Sequence, residues 1–495
     1  MVLSFHRSSP LNKKGDFYLI IILMSIFIML ISPIIFDKAT STIICFLTIL
    51  IITLFIYYTI MIGKDIFLSY AFFPYLVLLI QTTIYPAFVL LFGKQRLYLF
   101  DNYSPDYIPA IFIWALSVLG FGLGIIKRKN KPRLENRISP DYNIDRFSGY
   151  LDIKFQELIM VSMPLILISI LSSYIIFKSY GLDLRNDFIN IGIFSSDSIR
   201  RNRGLGPLML FEKWSYVAVA YVGWVAFFSK NNRGLKLLLG IFYSILGSIL
   251  SIINARRGTL FYHLLLLFLP LGLQYFMRRK KLIYMIPIML VIMIFVDSFT
   301  AEMRRIYYNS GHLIPNEAAK AVFNQEYAPL SYDHLELSAA LWQQIKNGTF
   351  KPMEGQTFLA ALLNFVPRRL WRNKLWTGGT YFSVAMGGAY YFDDTGISSG
   401  ITTGLIVETM MNFGKLAIIF LPIIMFYVSY ILSGFNWFKY AKRKNNIIAL
   451  TCFSLFYFFS MDLFSDDLGS FVNKIITNLS GIMFITLISK LKDKK

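Results

Sequence analysis

The stretch Ile108 to Ile126, IPAIFIWALSVLGFGLGII, carries no charged residue and is followed at once by Lys127, Arg128, Lys129, Lys131, Arg133 and Arg137. A helix crossing a hydrocarbon core of ~30 Å needs about 20 mostly apolar residues. This stretch therefore reads as a membrane span, and the basic cluster behind it as the cytoplasmic end of that span.

Working outward, the same pattern recurs near residues 17–36, 41–62, 66–92, 157–177, 207–229, 237–253, 259–276, 282–299, 414–435, 447–464 and 471–488, which makes about twelve spans. Alternate breaks are the basic ones: Lys127–Arg137, Lys230–Lys236, Arg278–Lys281, Lys439–Lys444 and Lys490–Lys495. That alternation predicts an all-α polytopic membrane protein of the cytoplasmic (inner) membrane with both termini cytoplasmic. His6, Arg7, Lys13 and Lys14 precede a full-length apolar run with no small-residue cleavage site, so that run is expected to stay as the first span.

Composition agrees. Of 495 residues 56% are apolar and 16% charged, and the mean hydropathy is +0.56, too apolar for a soluble protein of this size. The net charge of +21 lies in the breaks between spans, not on a soluble platform, so nucleic acid is not an expected partner. Cys45 and Cys452 sit in apolar runs without metal-ligand spacing, which argues against a disulfide or a zinc site.

Three regions follow: a nine-span bundle over 1–299, an extracytoplasmic loop over 300–399, and a re-entrant segment with the last three spans over 400–495. The loop is far longer than ordinary connections, and loops of that kind carry function. Two of its segments, SYDHLELSAALWQQI and GQTFLAALLNFV, have apolar residues at helical spacing, so each is expected to lay one face on lipid or on the bundle. The following GISSGITTGLIVETMMNFGK is apolar yet rich in Gly and Thr, the pattern of a half-inserted helix.

Chemistry-bearing residues gather on the side opposite the basic breaks. Arg256 and Arg257, Arg304 and Arg305, and Arg368 and Arg369 stand where the positive-inside rule does not expect them. A guanidinium fork matches phosphate oxygens two at a time, so converging arginines can hold a lipid-linked pyrophosphate. The competing reading is that they snorkel to headgroups or pair with local acids such as Asp297 and Glu302. His312 and His334 are candidate bases near neutral pH, against the plain reading of loop histidines. Glu408 stands in an apolar stretch, where an ionisable group needs a cavity or a cationic partner. His263 reads as a hydrogen-bonded core residue, and Asp393 with Asp394 as a solvated turn before a metal site. Tyr307, Tyr308, Trp371 and Tyr381 can stack on sugar faces or form an interfacial belt.

The segment Gly355–Phe382, GQTFLAALLNFVPRRLWRNKLWTGGTYF, resembles the bacterial oligosaccharide repeat-unit polymerases, the Wzy-type O-antigen and capsule polymerases. ETMMNFGK (Glu408–Lys415) is similar to that family's acid-then-Asn-Phe-Gly segment, and NARRGTLFYHLLLL (Asn254–Leu267) to its Arg-containing turn before a Leu-rich span. The chain departs after Trp371, where Arg372–Leu375 stands in place of a Lys-Pro ending. The resemblance implies transfer of a glycan from an undecaprenyl-pyrophosphate carrier onto another lipid-linked repeat unit outside the membrane, with inversion and with neither metal nor cofactor. Arg256, Arg257, Arg304 and Arg305, with Arg368 and Arg369, are then expected on the pyrophosphate. His312, His334 or Glu408 is expected as base, and membrane lipid, a flippase and a chain-length regulator as partners. An O-antigen ligase, or a flippase for the same carrier, is the competing expectation.

Overall fold

The computed structural model describes residues 69–79, 81, 107–130, 153–179, 208, 211–229, 231–253, 259–278, 316–317, 320, 334–364, 366, 374–375, 377–385, 392–393, 396–397, 403–435 and 447–492. Their helices are, in chain order, α1 (Phe72–Leu79), α2 (Tyr107–Asn130), α3 (Phe155–Ser179), α4 (Trp214–Phe228), α5 (Arg233–Ile253), α6 (Thr259–Arg278), α7 (His334–Lys346), α8 (Gln356–Leu362), α9 (Gly378–Ala385), α10 (Gly404–Phe413), α11 (Ala417–Gly434), α12 (Ile447–Phe459), α13 (Asp462–Ser465) and α14 (Leu468–Lys492). The sheet among the described residues is an antiparallel pair, Phe392–Asp393 against Gly396–Ile397, with Asp393 opposite Gly396.

Five described helical segments are long and apolar enough to cross a membrane: Ile108–Arg128, Phe155–Ile176, Gly404–Gly434, Ile447–Ser465 and Leu468–Ser489. Four match sequence-derived spans closely. The fifth begins ten residues before the expected start at 414, because α10 runs through a 3-10 turn at Gly414–Leu416 into α11. Gly414 has φ +56, a left-handed conformation that glycine takes without strain. The spans expected near 207–229 and 259–276 fall on the shorter apolar helices Trp214–Phe228 and Tyr262–Gly272. Those near 17–36, 41–62 and 282–299 lie outside the described residues, as does most of 66–92.

Two apolar cores organise these helices. The first joins α1, α2, α7, α10, α11 and α13, with Trp114, Phe121, Leu341, Met410 and Phe464 at its centre. The second surrounds α4, all of whose residues except Phe227 are buried, between α3, α5, α6, α12 and α14. A helix apolar on every side belongs in the middle of a bundle. Tryptophan N–H groups find partners across these cores: Trp114 donates to Ser338 at 2.9 Å and Trp224 to Ser454 at 2.7 Å.

Small residues set the helix spacing. Gly120 and Gly124 of α2 lie directly against the Pro422 and Phe426 carbonyls of α11, where a Cβ would collide with backbone. This small-xxx-small spacing brings two membrane helices to backbone contact. On the outside, Met160, Met163, Leu167, Leu171 and Ile175 of α3, and Ile419, Ile423, Tyr427 and Ile431 of α11, are exposed at helical spacing. Such apolar stripes are the faces that meet lipid.

From His334 onward the segment SYDHLELSAALWQQI forms α7, and this helix is enclosed rather than laid on a surface by one face. Leu335, Leu337, Ser338, Ala339, Ala340 and Leu341 are all buried, because α2 and α10 cover different sides of the same helix.

Candidate functional site

The site forms where α7, α8, α9 and α10 meet the start of α14. Glu408, on the second turn of α10, is completely buried. Its Oε1 accepts the Leu468 backbone N–H at 2.7 Å and the Thr403 hydroxyl at 3.4 Å, and its Oε2 accepts the Thr357 hydroxyl at 3.3 Å. The bond from Leu468 places the carboxylate on the first residue of α14, where the helix dipole favours negative charge. Glu408 therefore answers the cost of burial with three donors from three separate segments.

Asn412 lies one turn further along α10. Its amide donates to Thr357 Oγ1 at 2.6 Å and to the Glu408 carbonyl at 2.8 Å, and its Oδ1 accepts the Thr357 N–H at 3.3 Å. The Met353 and Glu354 amides donate to the Met411 and Asn412 carbonyls at 2.9 and 3.0 Å, which ties the approach to α8 onto the end of α10. From the other side α9 arrives through Gly378, where a Cβ would overlap the Glu408 carboxyl. Tyr381 stands one turn along α9, its ring edge-on to Phe350 at 6.3 Å.

Below Leu468, Asp467 caps α14: its carboxylate accepts the Ser470 N–H, the N-cap arrangement. Thr377 donates to its other oxygen at 3.3 Å. Burial, and after it the charge of Asp466, push the Asp467 carboxyl above the usual range, against the opposing pull of its bonds.

His334 opens α7 and is buried. Gln81 Nε2 lies 3.0 Å from His334 Nδ1 and 3.4 Å from the Phe464 carbonyl. A carbonyl takes only a donor, so Phe464 orients the amide nitrogen toward this corner, and Nδ1 must accept from it. The proton of a neutral His334 then sits on Nε2. The ring borders Gly404, whose φ of +63 lets α10 begin against the Phe464 carbonyl.

A partly buried ionic group adjoins. Lys474 of α14 pairs with Asp462 at 3.0 Å and Asp466 at 2.8 Å, and these join α13 to α14. His263 is elsewhere, buried between Ser215 at 3.0 Å and Ser248 at 3.4 Å and stacked on Tyr216, as a core residue would be.

Of the residues singled out from the sequence, His334, Glu408 and Tyr381 are therefore gathered around the start of α10. Arg256, Arg257, Arg304, Arg305, Arg368, Arg369, Tyr307, Tyr308, Trp371 and His312 lie outside the described residues. Sequence reading passed over Thr357, Gly378, Gln81, Asp467 and Lys474. Gln81, an amide within an apolar run, carried a readable signal; Thr357 and Gly378 carried none, because their roles depend on a partner distant in sequence. No family model matches the chain, nor does any curated protein or solved structure.

Proposed function

We propose that this protein is a membrane-embedded glycosyltransferase that polymerises undecaprenyl-pyrophosphate-linked oligosaccharide repeat units into a surface polysaccharide on the outer face of the cytoplasmic membrane. One observation carries the reading. The two segments that resemble repeat-unit polymerases most specifically, Gly355–Phe382 and Glu408–Lys415, meet on a single carboxylate: Thr357 and Gly378 from the first enclose Glu408 and Asn412 from the second. A buried acid with three donors is costly to assemble in a membrane protein and marks function by default.

In this reading the acceptor sugar hydroxyl attacks the anomeric carbon of the donor, the bond from that carbon to the pyrophosphate oxygen breaks, and the configuration inverts. Arg256, Arg257, Arg304 and Arg305, with Arg368 and Arg369 beside them, take the charge that develops on the departing pyrophosphate. Tyr307, Tyr308, Trp371 and Tyr381 stack on the sugars. The acceptor proton goes to a base. Among the three candidates, Glu408 has both oxygens engaged by donors, and the His334 Nδ1 lone pair faces Gln81. His312 is therefore the base to test first, with Glu408 and His334 positioning the helices around the acceptor.

The test is gene deletion in the host, complemented by wild type, Arg257→Ala, Arg257→Lys or His312→Ala, with the surface-glycan length ladder as readout. Collapse to a single repeat unit that the variants fail to rescue at normal membrane levels supports the polymerase. An unchanged ladder on deletion refutes it. Loss of all surface glycan with long lipid-linked chains accumulating points to a ligase, and accumulation of single lipid-linked units inside the membrane points to a flippase.

A further inference from the structure

The inward face of α14 is polar well inside a span. Lys474, Thr477, Asn478 and Gly481 lie on one side by helical spacing, and Gly481 abuts Val217 and Trp214 of α4, where a Cβ would stand 2.9 Å from Val217 Cγ2. Asp462 and Asp466 hold Lys474 at the upper end of this face. Lys213 of the turn before α4 and Tyr262 of α6 are close enough to act on the same charges. The opposite side of α14 is apolar and exposed, with Leu479, Met483 and Leu487 facing outward.

Many hydroxyls along the described membrane helices are answered by their own backbone, with Ser173 Oγ of α3 a buried exception. Thr451 donates to Ile447 at 2.9 Å, Thr486 to Ile482 at 2.8 Å, Ser489 to Ile485 at 2.9 Å and Ser480 to Thr477 at 2.7 Å. Thr477 Oγ1 and Asn478 Oδ1 break the pattern. Both residues are buried, at 0% and 3% exposure, and neither atom has a hydrogen-bond partner among the described residues. A buried polar atom without a partner is destabilising, and two adjacent ones beside a three-charge cluster call for a hydrogen-bonding occupant.

We infer that the face of α14 from Lys474 to Asn478 lines a buried polar cleft in which Thr477 and Asn478 bind hydroxyl groups, supplied by water or by a sugar. An amide oxygen and a threonine hydroxyl suit a neutral polyhydroxyl ligand: Asn478 Oδ1 accepts, and Thr477 both accepts and donates. Lys474 above them is already engaged by Asp462 and Asp466 and is not offered to an anionic ligand, which leaves this pair to a neutral group. The sugar alternative rests on the polymerase reading; hydration of the cleft does not.

Thiol accessibility tests it. In a background with Cys45 and Cys452 replaced by Ala, T477C, N478C and M483C are each exposed, in permeabilised membranes, to a charged water-soluble thiosulfonate with and without soluble oligosaccharide. Loss of the free thiol at T477C and N478C but not at lipid-facing M483C is expected. Protection by oligosaccharide identifies a sugar as occupant, and unprotected reaction identifies water. Thiols at 477 and 478 that stay free until the protein is denatured overturn the inference. Hydroxyl-radical footprinting of the unmodified protein covers the case in which the variants fail to insert. Trp214, which donates to Ser480 at 2.9 Å, should be labelled faster than Trp224 of the same helix, and equal protection of the two overturns the inference.

Discussion

Thr357 and Asn412, 55 positions apart, hold each other by a reciprocal pair of hydrogen bonds: Asn412 donates to the Thr357 hydroxyl at 2.6 Å, and the Thr357 amide donates to Asn412 Oδ1 at 3.3 Å. The Thr357 hydroxyl in turn donates to Glu408. One side chain thus passes a single chain of polarity from α10 to α8 and back.

Replacing Asn412 by Ala removes three bonds and leaves the Thr357 amide buried without an acceptor. A loss of about 1–3 kcal/mol is expected, read as a lower thermal midpoint in detergent, with surface-glycan length reduced in parallel. Asn412→Asp tests the geometry separately: its Oδ1 can still accept from Thr357, but its second oxygen cannot donate to the Thr357 hydroxyl or the Glu408 carbonyl. A variant as stable as wild type would mean that the reciprocal pair contributes nothing.

Gly378→Ala should destabilise the site, since the new Cβ would overlap the Glu408 carboxyl. Overpacking of this kind costs about 1–3 kcal/mol. Shortening the acid in the double variant Gly378→Ala with Glu408→Asp should recover part of the loss. In a double-mutant cycle of thermal midpoints, strict additivity would show that the two positions do not touch.

Lys474 lies between two carboxylates, so Lys474→Met should cost about 3–5 kcal/mol by leaving their charge unanswered in a largely buried place. Adding Asp462→Asn and Asp466→Asn to Lys474→Met should return most of that stability. The expected order is wild type, then triple variant, then Lys474→Met; a Lys474→Met variant that melts with wild type would show that the cluster is not energetically coupled.

Asp467 gives the site a pH dependence. Burial and the neighbouring Asp466 raise its carboxyl above the unfolded value, so the fold binds this proton more tightly than the unfolded chain does. Its contribution is fully present below the ordinary aspartate range and is lost as pH rises through the raised value. Asp467→Asn keeps an oxygen for the Ser470 amide and cannot ionise. The thermal midpoint of wild type should therefore fall relative to Asp467→Asn as pH rises from acid toward neutral; parallel midpoints across that range would count against the shift.

The sequence by itself determined the class of this protein. Apolar runs of bilayer length, separated by short polar breaks, permit only helices, because a lipid-exposed backbone must satisfy its own hydrogen bonds. Glu408 stood out for the same reason, as a charge where none is tolerated without a partner. What surrounds it was decided in three dimensions. Thr357, Gly378 and Leu468 are ordinary residues in their own neighbourhoods, and they become a donor, a clearance and a helix start only when α8, α9 and α14 converge on α10. The same holds for Lys474, which reads as one more base in a basic chain until Asp462 and Asp466 close on it. Hydropathy is a property of a segment and survives in one dimension, whereas hydrogen bonds and ion pairs between distant segments exist only at distances of about 3 Å, which the packing of helices alone sets.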